Sequence, residues 1–291
     1  MFGKKAKTIG IDVGGTKILL QSFDKNWGIL TEELVKTNTH SERDFIDQLL
    51  VLIESHFHPD IESIGIALPG IVNHEKGLLV TAPHLPIENL KLAEIVHARF
   101  KKPVVLENDI NAFLYAQSHR KKLNGVKNII GVMVGTGVGG AIMINGELYR
   151  GQKGFAGEIG HTLINQKGPL TTLEANIAGS SISKIAKALG VKKPFHSKNL
   201  NDESSEAKKI KKHLVEQLGI GLANLSLIFD PSAFILGGSI YNLFLKKEKK
   251  ELESIVKKHT LSKTSPKLIH SDEKYTVALG VAKMSREEAG Y

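Results

Sequence analysis

Three groupings in this chain could do chemistry: a carboxylate beside an amide, an acid spaced three from a histidine, and two glycine turns. Asn108 and Asp109 follow the apolar run 103–106 and precede an amphipathic stretch, so they stand between a strand end and a helix start. At such a corner Asn and Asp often serve only to cap the helix. A carboxylate there can also act as a general base, with its amide neighbour fixing a substrate. Glu158 and His161 pair an acid with an imidazole, a combination suited to holding hydroxyl groups. They close a longer stretch, 129–161, that opens with the apolar run Ile129–Val134. Gly135, Gly137, Gly139 and Gly140 follow, interleaved with Thr136 and Val138, and a second apolar run covers 141–144. Strand, glycine turn and strand predict a hairpin whose turn has almost no side chains. The bare N–H groups of such a turn can converge on an anion, commonly a phosphate.

The same construction appears earlier. Residues 8–23 run strand, turn, strand, with Gly14 and Gly15 in the turn and Thr16 and Lys17 beside it. Neither hairpin fits a P-loop, since GxxxxGK[ST] is absent, and neither is followed by the helix of a dinucleotide fingerprint. Two such hairpins suggest a duplicated domain, each copy opening with its own. Two phosphate cradles facing each other across a cleft would hold the tail of a nucleoside triphosphate.

The intervening elements must position these groups. Residues 28–35 predict a third strand, and Ser41 with Asp44 predicts a capping box before a helix carrying Phe45, Ile46, Leu49, Leu50, Ile53 and Phe57 on one face. A buried strand, Ser63–Leu68, ends in Pro69-Gly70, and the carboxyl edge of a strand is where open α/β sheets place ligands. Helices are expected over 88–100, about 111–119 and 174–189, a polar loop over 191–204, then a long helix through Phe229 stopped by Asp230-Pro231. Phe234 to Leu236 reads as a strand that meets Gly237-Gly238, where backbone could approach a flat ligand closely. A final strand, Lys267–His270, leads to a last helix from about Tyr275. Strands alternating with amphipathic helices predict α/β architecture. The expected division is 1–112 plus about 275–291 for the first domain and 113–274 for a larger second one.

Composition narrows the function classes. Hydrophobic residues at 41% and charged residues at 24% are those of a soluble globular chain. No apolar run reaches the ~18 residues of a membrane span, and the first residues, MFGKKAKT, lack the apolar segment of a signal peptide. Cysteine is absent, which excludes disulfides and thiolate zinc and fits a reducing cytoplasm. The net charge is +9, yet the lysines of 208–212 and 246–250 are not accompanied by interleaved aromatics or a helix-turn-helix pattern. No nucleic-acid partner is therefore expected; a basic surface would also draw anionic substrates such as nucleotides.

DVGGTK at 12–17, ENDINA at 107–112, GTGVGG at 135–140, GEIGH at 157–161 and LGG at 236–238 together resemble the ROK family of sugar kinases and repressors, in the family's order and over nearly the whole chain. The resemblance implies two actin-like (ribonuclease H-like) α/β domains around a central cleft, and transfer of phosphate from ATP to a hexose with magnesium. The first hairpin (Gly14, Gly15, Thr16, Lys17) and the second (Gly135 to Gly140) would wrap the triphosphate, and Gly237 and Gly238 would lie against the nucleoside. Asp109 would be the catalytic base and would touch the sugar with Gly70, Asn108, Glu158, His161 and Glu174. Asp12 would place the metal, through water. A homodimer is the common assembly. ENDINA resembles the glucokinase-like members, which puts glucose first, with N-acetylmannosamine, N-acetylglucosamine, fructose and allose as alternatives and polyphosphate as a possible donor.

The chain departs from the zinc-containing members. Their CxCGxxGC run is missing before Glu174, with Thr172 where its last cysteine would stand. Asn165, Gln166, Thr171 and Thr172 are poor zinc ligands, and no structural zinc is expected; Pro169 would stiffen the shortened loop. With seven residues before Thr8, the DNA-binding helices that repressors of this family carry are not expected. Two other classes fit part of the pattern. A glycosidase could pair Asp109 with Glu158 but has no use for phosphate hairpins. A sugar sensor without catalysis would keep Glu158 and His161 but has no need of Asp109.

Overall fold

A computed structural model of the chain describes residues 5–83, 85–164, 170–261, 265–274 and 276–291. Met1 to Lys4, where no signal peptide is expected, and Asn165, Gln166, Pro169 and Tyr275 lie outside the described residues. The chain forms two compact units, one of Met1–Asn124, Arg150–Phe155 and Asp272–Tyr291, the other of Gly125–Tyr149 and Ala156–Ser271.

The first unit is built on β1 (Thr8–Val13), β2 (Lys17–Phe23), β3 (Ile29–Lys36), β4 (Ser63–Leu68), β5 (Ile71–Asn73), β6 (Leu78–Thr81), β7 (Glu88–Leu90) and β8 (Val104–Asn108). Its main sheet has the order β3-β2-β1-β4-β8. The hairpin pairs antiparallel, Val13 opposite Ile18, while β1, β4 and β8 run parallel. β4 is buried at every position, as a strand covered on both faces must be. One cover is the helix Glu42–His56, whose Phe45, Leu49 and Ile53 are fully buried. Ser41 caps it, accepting from the Asp44 amide at 3.1 Å; the Asp44 carboxylate takes the Ser41 hydroxyl at 2.6 Å instead of the Ser41 backbone amide, so the predicted capping box is reduced to a single N-cap. The other is the helix Val277–Glu288, capped by Thr276. It packs so close that a Cβ at Gly65 would stand 2.2 Å from the Val281 carbonyl oxygen.

The helix predicted over 88–100 is shorter, Leu92–Phe100, because residues 88–90 pair with β6 in a small antiparallel sheet, β5-β6-β7. That sheet has strands of three or four residues, too short for a period of two to register in the sequence.

The second unit repeats the plan with β9 (Ile129–Val134), β10 (Val138–Ile144), β11 (Glu147–Leu148), β12 (Leu163–Ile164), β13 (Thr171–Thr172), β14 (Ala233–Gly237) and β15 (Lys267–His270). The sheet order β11-β10-β9-β14-β15 copies that of the first unit role by role: edge, hairpin, then two parallel strands. Both sheets thus open with a glycine hairpin, as the internal likeness of the sequence suggested. The helix Ser205–Phe229 covers it, burying Leu214, Leu218 and Leu222 against Phe234 and Tyr241. Each such side chain contributes about 1.5–3 kcal/mol. Asp230 ends the helix in the left-handed conformation.

The single helix expected over 174–189 is interrupted. Residues Leu173–Ile177 and Ile182–Ala188 are α-helical, with a turn of 3₁₀ helix at Gly179–Ser181 between them. The physical reason lies outside the segment: the Gly179 and Ser180 amides leave the helical ladder to donate to the Gly135 and Thr136 carbonyls, at 2.8 and 3.1 Å. Residues Ser197–Asn201, expected as loop, form another short 3₁₀ turn.

Candidate functional site

In the first unit, the hairpin turn between β1 and β2 is closed by the Gly14 amide on the Lys17 carbonyl at 2.8 Å. Thr37 braces it, donating its hydroxyl to the Gly14 carbonyl at 2.7 Å. Thr16 and Lys17 are exposed, and Gly15 is half-buried. Asp12 sits one residue before the end of β1. Its residue keeps some exposure, yet the carboxyl is so enclosed that burial pushes its pKa up to about 6. It forms no ion pair or hydrogen bond among the described residues. A carboxylate in that condition gains from a cation, so Asp12 fits a metal-bearing role.

Asp109 is the first residue of the helix Asp109–Ser118, where the helix dipole favours negative charge. The carboxylate accepts from the Ile110 amide at 2.9 Å and is half-buried. Asn108 is the N-cap: its Oδ1 accepts from the Ile110 and Asn111 amides at 2.9 and 3.1 Å. Its Nδ2 donates to the Gly70 carbonyl at 3.0 Å. Capping is therefore present at Asn108, and it brings Gly70 and the Asn108–Asp109 corner together. Gly70 has φ +94, and a Cβ there would lie 2.2 Å from the Thr81 carbonyl oxygen, so the position requires glycine.

Behind this corner is a cluster that inspection of the motifs does not find. Glu107, fully buried, receives the Arg150 Nε and Nη2 on Oε2, each at 2.7 Å. Its Oε1 accepts from the Asn108 amide at 2.8 Å and from Asn111 Nδ2 at 2.9 Å. His74 completes the group, with Nδ1 2.9 Å from the Leu106 carbonyl oxygen and Nε2 2.9 Å from a Glu288 oxygen. Burial pulls the His74 pKa down, but the Glu288 hydrogen bond and the Glu107 charge outweigh it, and the net shift is upward. One sequence signal was available: an acid terminating the apolar strand Val104, Val105, Leu106 requires a partner if that end is buried.

In the second unit, the turn of GTGVGG is closed by the Gly135 amide on the Gly137 carbonyl at 2.9 Å. Glu174 reaches this turn, its Oε2 accepting from the Val138 amide at 2.8 Å. The turn thus holds an anionic oxygen through backbone N–H, which is the donor chemistry a phosphate needs. Gly139 and Gly140 continue into β10. Gly157, at φ +96, brings the GEIGH segment onto Gly140: a Cβ at Gly157 would stand 2.5 Å from the Gly140 carbonyl oxygen. Glu158 and His161 are then presented on a short 3₁₀ turn, Ile159–His161, both exposed, with Oε2 and Nε2 3.7 Å apart. Gly237 ends β14, and Gly238 packs against Val134, where a Cβ would meet the carbonyl oxygen at 2.5 Å. Thr172 caps Leu173–Ile177 by accepting from the Ala175 amide at 3.1 Å. Among the described residues no helix is long and apolar enough to cross a membrane.

Two five-stranded sheets of like order, each opening with a glycine hairpin, define an actin-like α/β protein. The chain belongs to the ROK family, whose profile matches residues 8–285. It is 32% identical over 260 residues to a glucokinase of Streptomyces coelicolor, covering 80% of this chain and 82% of that one. It is 31% identical over 273 residues to a xylose repressor of Caldicellulosiruptor bescii, covering 82% of this chain and 68% of the other. Among solved structures, a ROK family glucokinase from Streptomyces griseus in complex with glucose and AMPPNP superposes with a TM-score of 0.78 at 26% identity, over 96% of this chain and 99% of that one.

Proposed function

We propose that this protein is an ATP-dependent hexose kinase that phosphorylates the 6-hydroxyl of its sugar, with glucose as the first substrate. The observation that carries it is Asp109, a half-buried carboxylate set at a helix start by a capped corner. Phosphoryl transfer asks for positioning and charge stabilisation more than covalent chemistry. Asp109 takes the proton of the attacking hydroxyl as its oxygen bonds to phosphorus and the bond to ADP breaks. In the first unit, Gly14 to Lys17 hold phosphate oxygens, and Gly70 and Asn108 face the sugar. In the second, Gly135 to Gly140 hold phosphate oxygens, Gly237 and Gly238 border the nucleoside, and Glu158, His161 and Glu174 take ring hydroxyls.

Asp12 is the residue that would hold magnesium, through water; when bound, the ion offsets phosphate charge. No zinc is needed in this scheme, and the chain has no thiolate to hold one. The enzyme works as a cytoplasmic homodimer. Support comes from the Streptomyces coelicolor glucokinase, a relative at 32% identity. A sugar sensor is the second reading, favoured by the Caldicellulosiruptor bescii repressor at 31% identity. N-Acetylmannosamine, N-acetylglucosamine, fructose and allose are the competing substrates.

A coupled assay of these hexoses against ATP, other nucleotides and polyphosphate is the test. Stoichiometric ADP and glucose 6-phosphate are expected from glucose and ATP. Sugar binding without turnover by any donor would replace the kinase with the sensor.

A further inference from the structure

Glu107 and Arg150 have no part in the proposed reaction, yet they form a tightly bonded charged pair of the first unit. We infer that they are positioning residues: buried Glu107, paired with half-buried Arg150, locks the strand-to-helix corner that carries Asn108 and Asp109 and ties it to the stretch Arg150–Phe155. The inference rests on Asp109 acting as the base.

The geometry is one of a shared anchor. Oε1 of Glu107 grips the Asn108 amide and the Asn111 side chain, at 2.8 and 2.9 Å. Asn108 passes that fixation on through its own Oδ1 to the Ile110 and Asn111 amides. Both chain neighbours of Asp109 are therefore held by bonds that lead back to one carboxylate. That carboxylate is fully buried, and a buried charge persists only when it is paired and hydrogen-bonded. Arg150 supplies the pairing with two N–H groups on Oε2. His74 stands beside the pair, with Nδ1 3.5 Å from the same oxygen.

Arg150 comes from a stretch whose chain neighbours on both sides belong to the second unit. The stretch is seated closely, since a Cβ at Gly154 would lie 2.7 Å from the Val72 carbonyl oxygen. Without the guanidinium, Glu107 would either bind a proton or admit water, and both weaken its hold on the Asn108 amide. A pair that served the fold alone would lower stability and leave the turnover of folded molecules unchanged. A positioning pair lowers kcat in protein that is fully folded, with the sugar KM nearly constant, because a displacement of about 1 Å costs on the order of 10²-fold in rate.

The test uses the full chain as Arg150→Met, Arg150→Lys, Glu107→Gln and the double variant Glu107→Gln/Arg150→Met. Two readouts are taken: kcat and sugar KM, and amide hydrogen exchange of peptides covering 104–112 without ligand. Arg150→Met is expected to lose about 10²-fold in kcat and to speed exchange at Asn108, Ile110 and Asn111. Helix Glu42–His56 should keep its protection. Arg150→Lys should recover part of both losses. The double variant should lose less than the two single losses combined, since its partners share one interaction. If Arg150→Met does not fold, Arg150→Lys and the double variant carry the same comparison.

Unchanged exchange over 104–112 overturns the positioning role whatever the reaction proves to be. Faster exchange with wild-type kcat also overturns it, because the corner would then be held without serving turnover. Failure of the kinase proposal reads differently: the wild-type protein turns over no sugar. Failure of the base assignment alone leaves Asp109→Asn active while Arg150→Met is impaired.

Discussion

At the scale of single residues, the two carboxylates with proposed chemistry differ in what surrounds them. Asp109 lies in a first helical turn, where amides and the dipole support the anion. Asp109→Asn keeps the shape and removes the proton acceptor. It should lower kcat by about 10²- to 10⁴-fold while sugar affinity, measured by calorimetry, stays within a few-fold. Retention of more than about a tenth of wild-type turnover would move the base elsewhere.

Asp12 has the opposite surroundings: burial raises its pKa from 3.8 to about 6. The folded protein therefore holds its proton up to about pH 6, while the unfolded chain releases it from about pH 3.8. Stability must fall as pH rises through that window, and above it the native state carries a penalty on the order of 3 kcal/mol. Asp12→Asn removes the ionisation. In thermal unfolding without metal or nucleotide, the variant should exceed wild type at pH 8, and the gap should close towards pH 4. Turnover should fall, since a neutral amide cannot serve the metal. An equal gap at both pH values would mean that Asp12 is not the group responsible.

At the scale of elements, the GEIGH segment is placed by a backbone contact that only glycine permits. Gly157 and Gly146 are both in the left-handed region, at φ +96 and +90, but only Gly157 has backbone against it. Gly146 has nothing within 4 Å of a Cβ. Alanine at either position meets strain of about 1–3 kcal/mol. Gly157→Ala must also shift β10 or the segment bearing Glu158 and His161. In denaturant unfolding it should be clearly less stable than Gly146→Ala, and it alone should raise the sugar KM. Equal losses would show that the Gly140 contact yields without consequence. The broken helix at Gly179–Ser181 belongs to this scale as well, because its freed amides hold the second turn.

At the scale of the whole molecule, each unit has its own sheet and its own core. A cavity in one should loosen that unit first. Leu222 is 1% exposed within the second core, so Leu222→Ala should cost about 2–5 kcal/mol. Hydrogen exchange should then rise over 125–149 and 156–271, with β1 and β4 still protected. A uniform rise across the chain would mean that the units unfold as one.

The amino-acid sequence by itself determined the two hairpins, the alternation of strands and helices, the Ser41 helix cap and the Asn108–Asp109 corner. Each rests on interactions between near neighbours: apolar period, turn residues and caps act over a few residues and are written in order. The small sheet β5-β6-β7 was not legible, because three-residue strands form only when a partner exists to pair with. The interruption after Ile177 and the burial of Glu107 were hidden for the same kind of reason. Gly179 leaves its helix for Gly135, and Glu107 is an isolated charge until Arg150 is folded against it. Hydrogen bonds and ion pairs between residues more than 40 apart have no period and no local signature, so only the tertiary structure decided them.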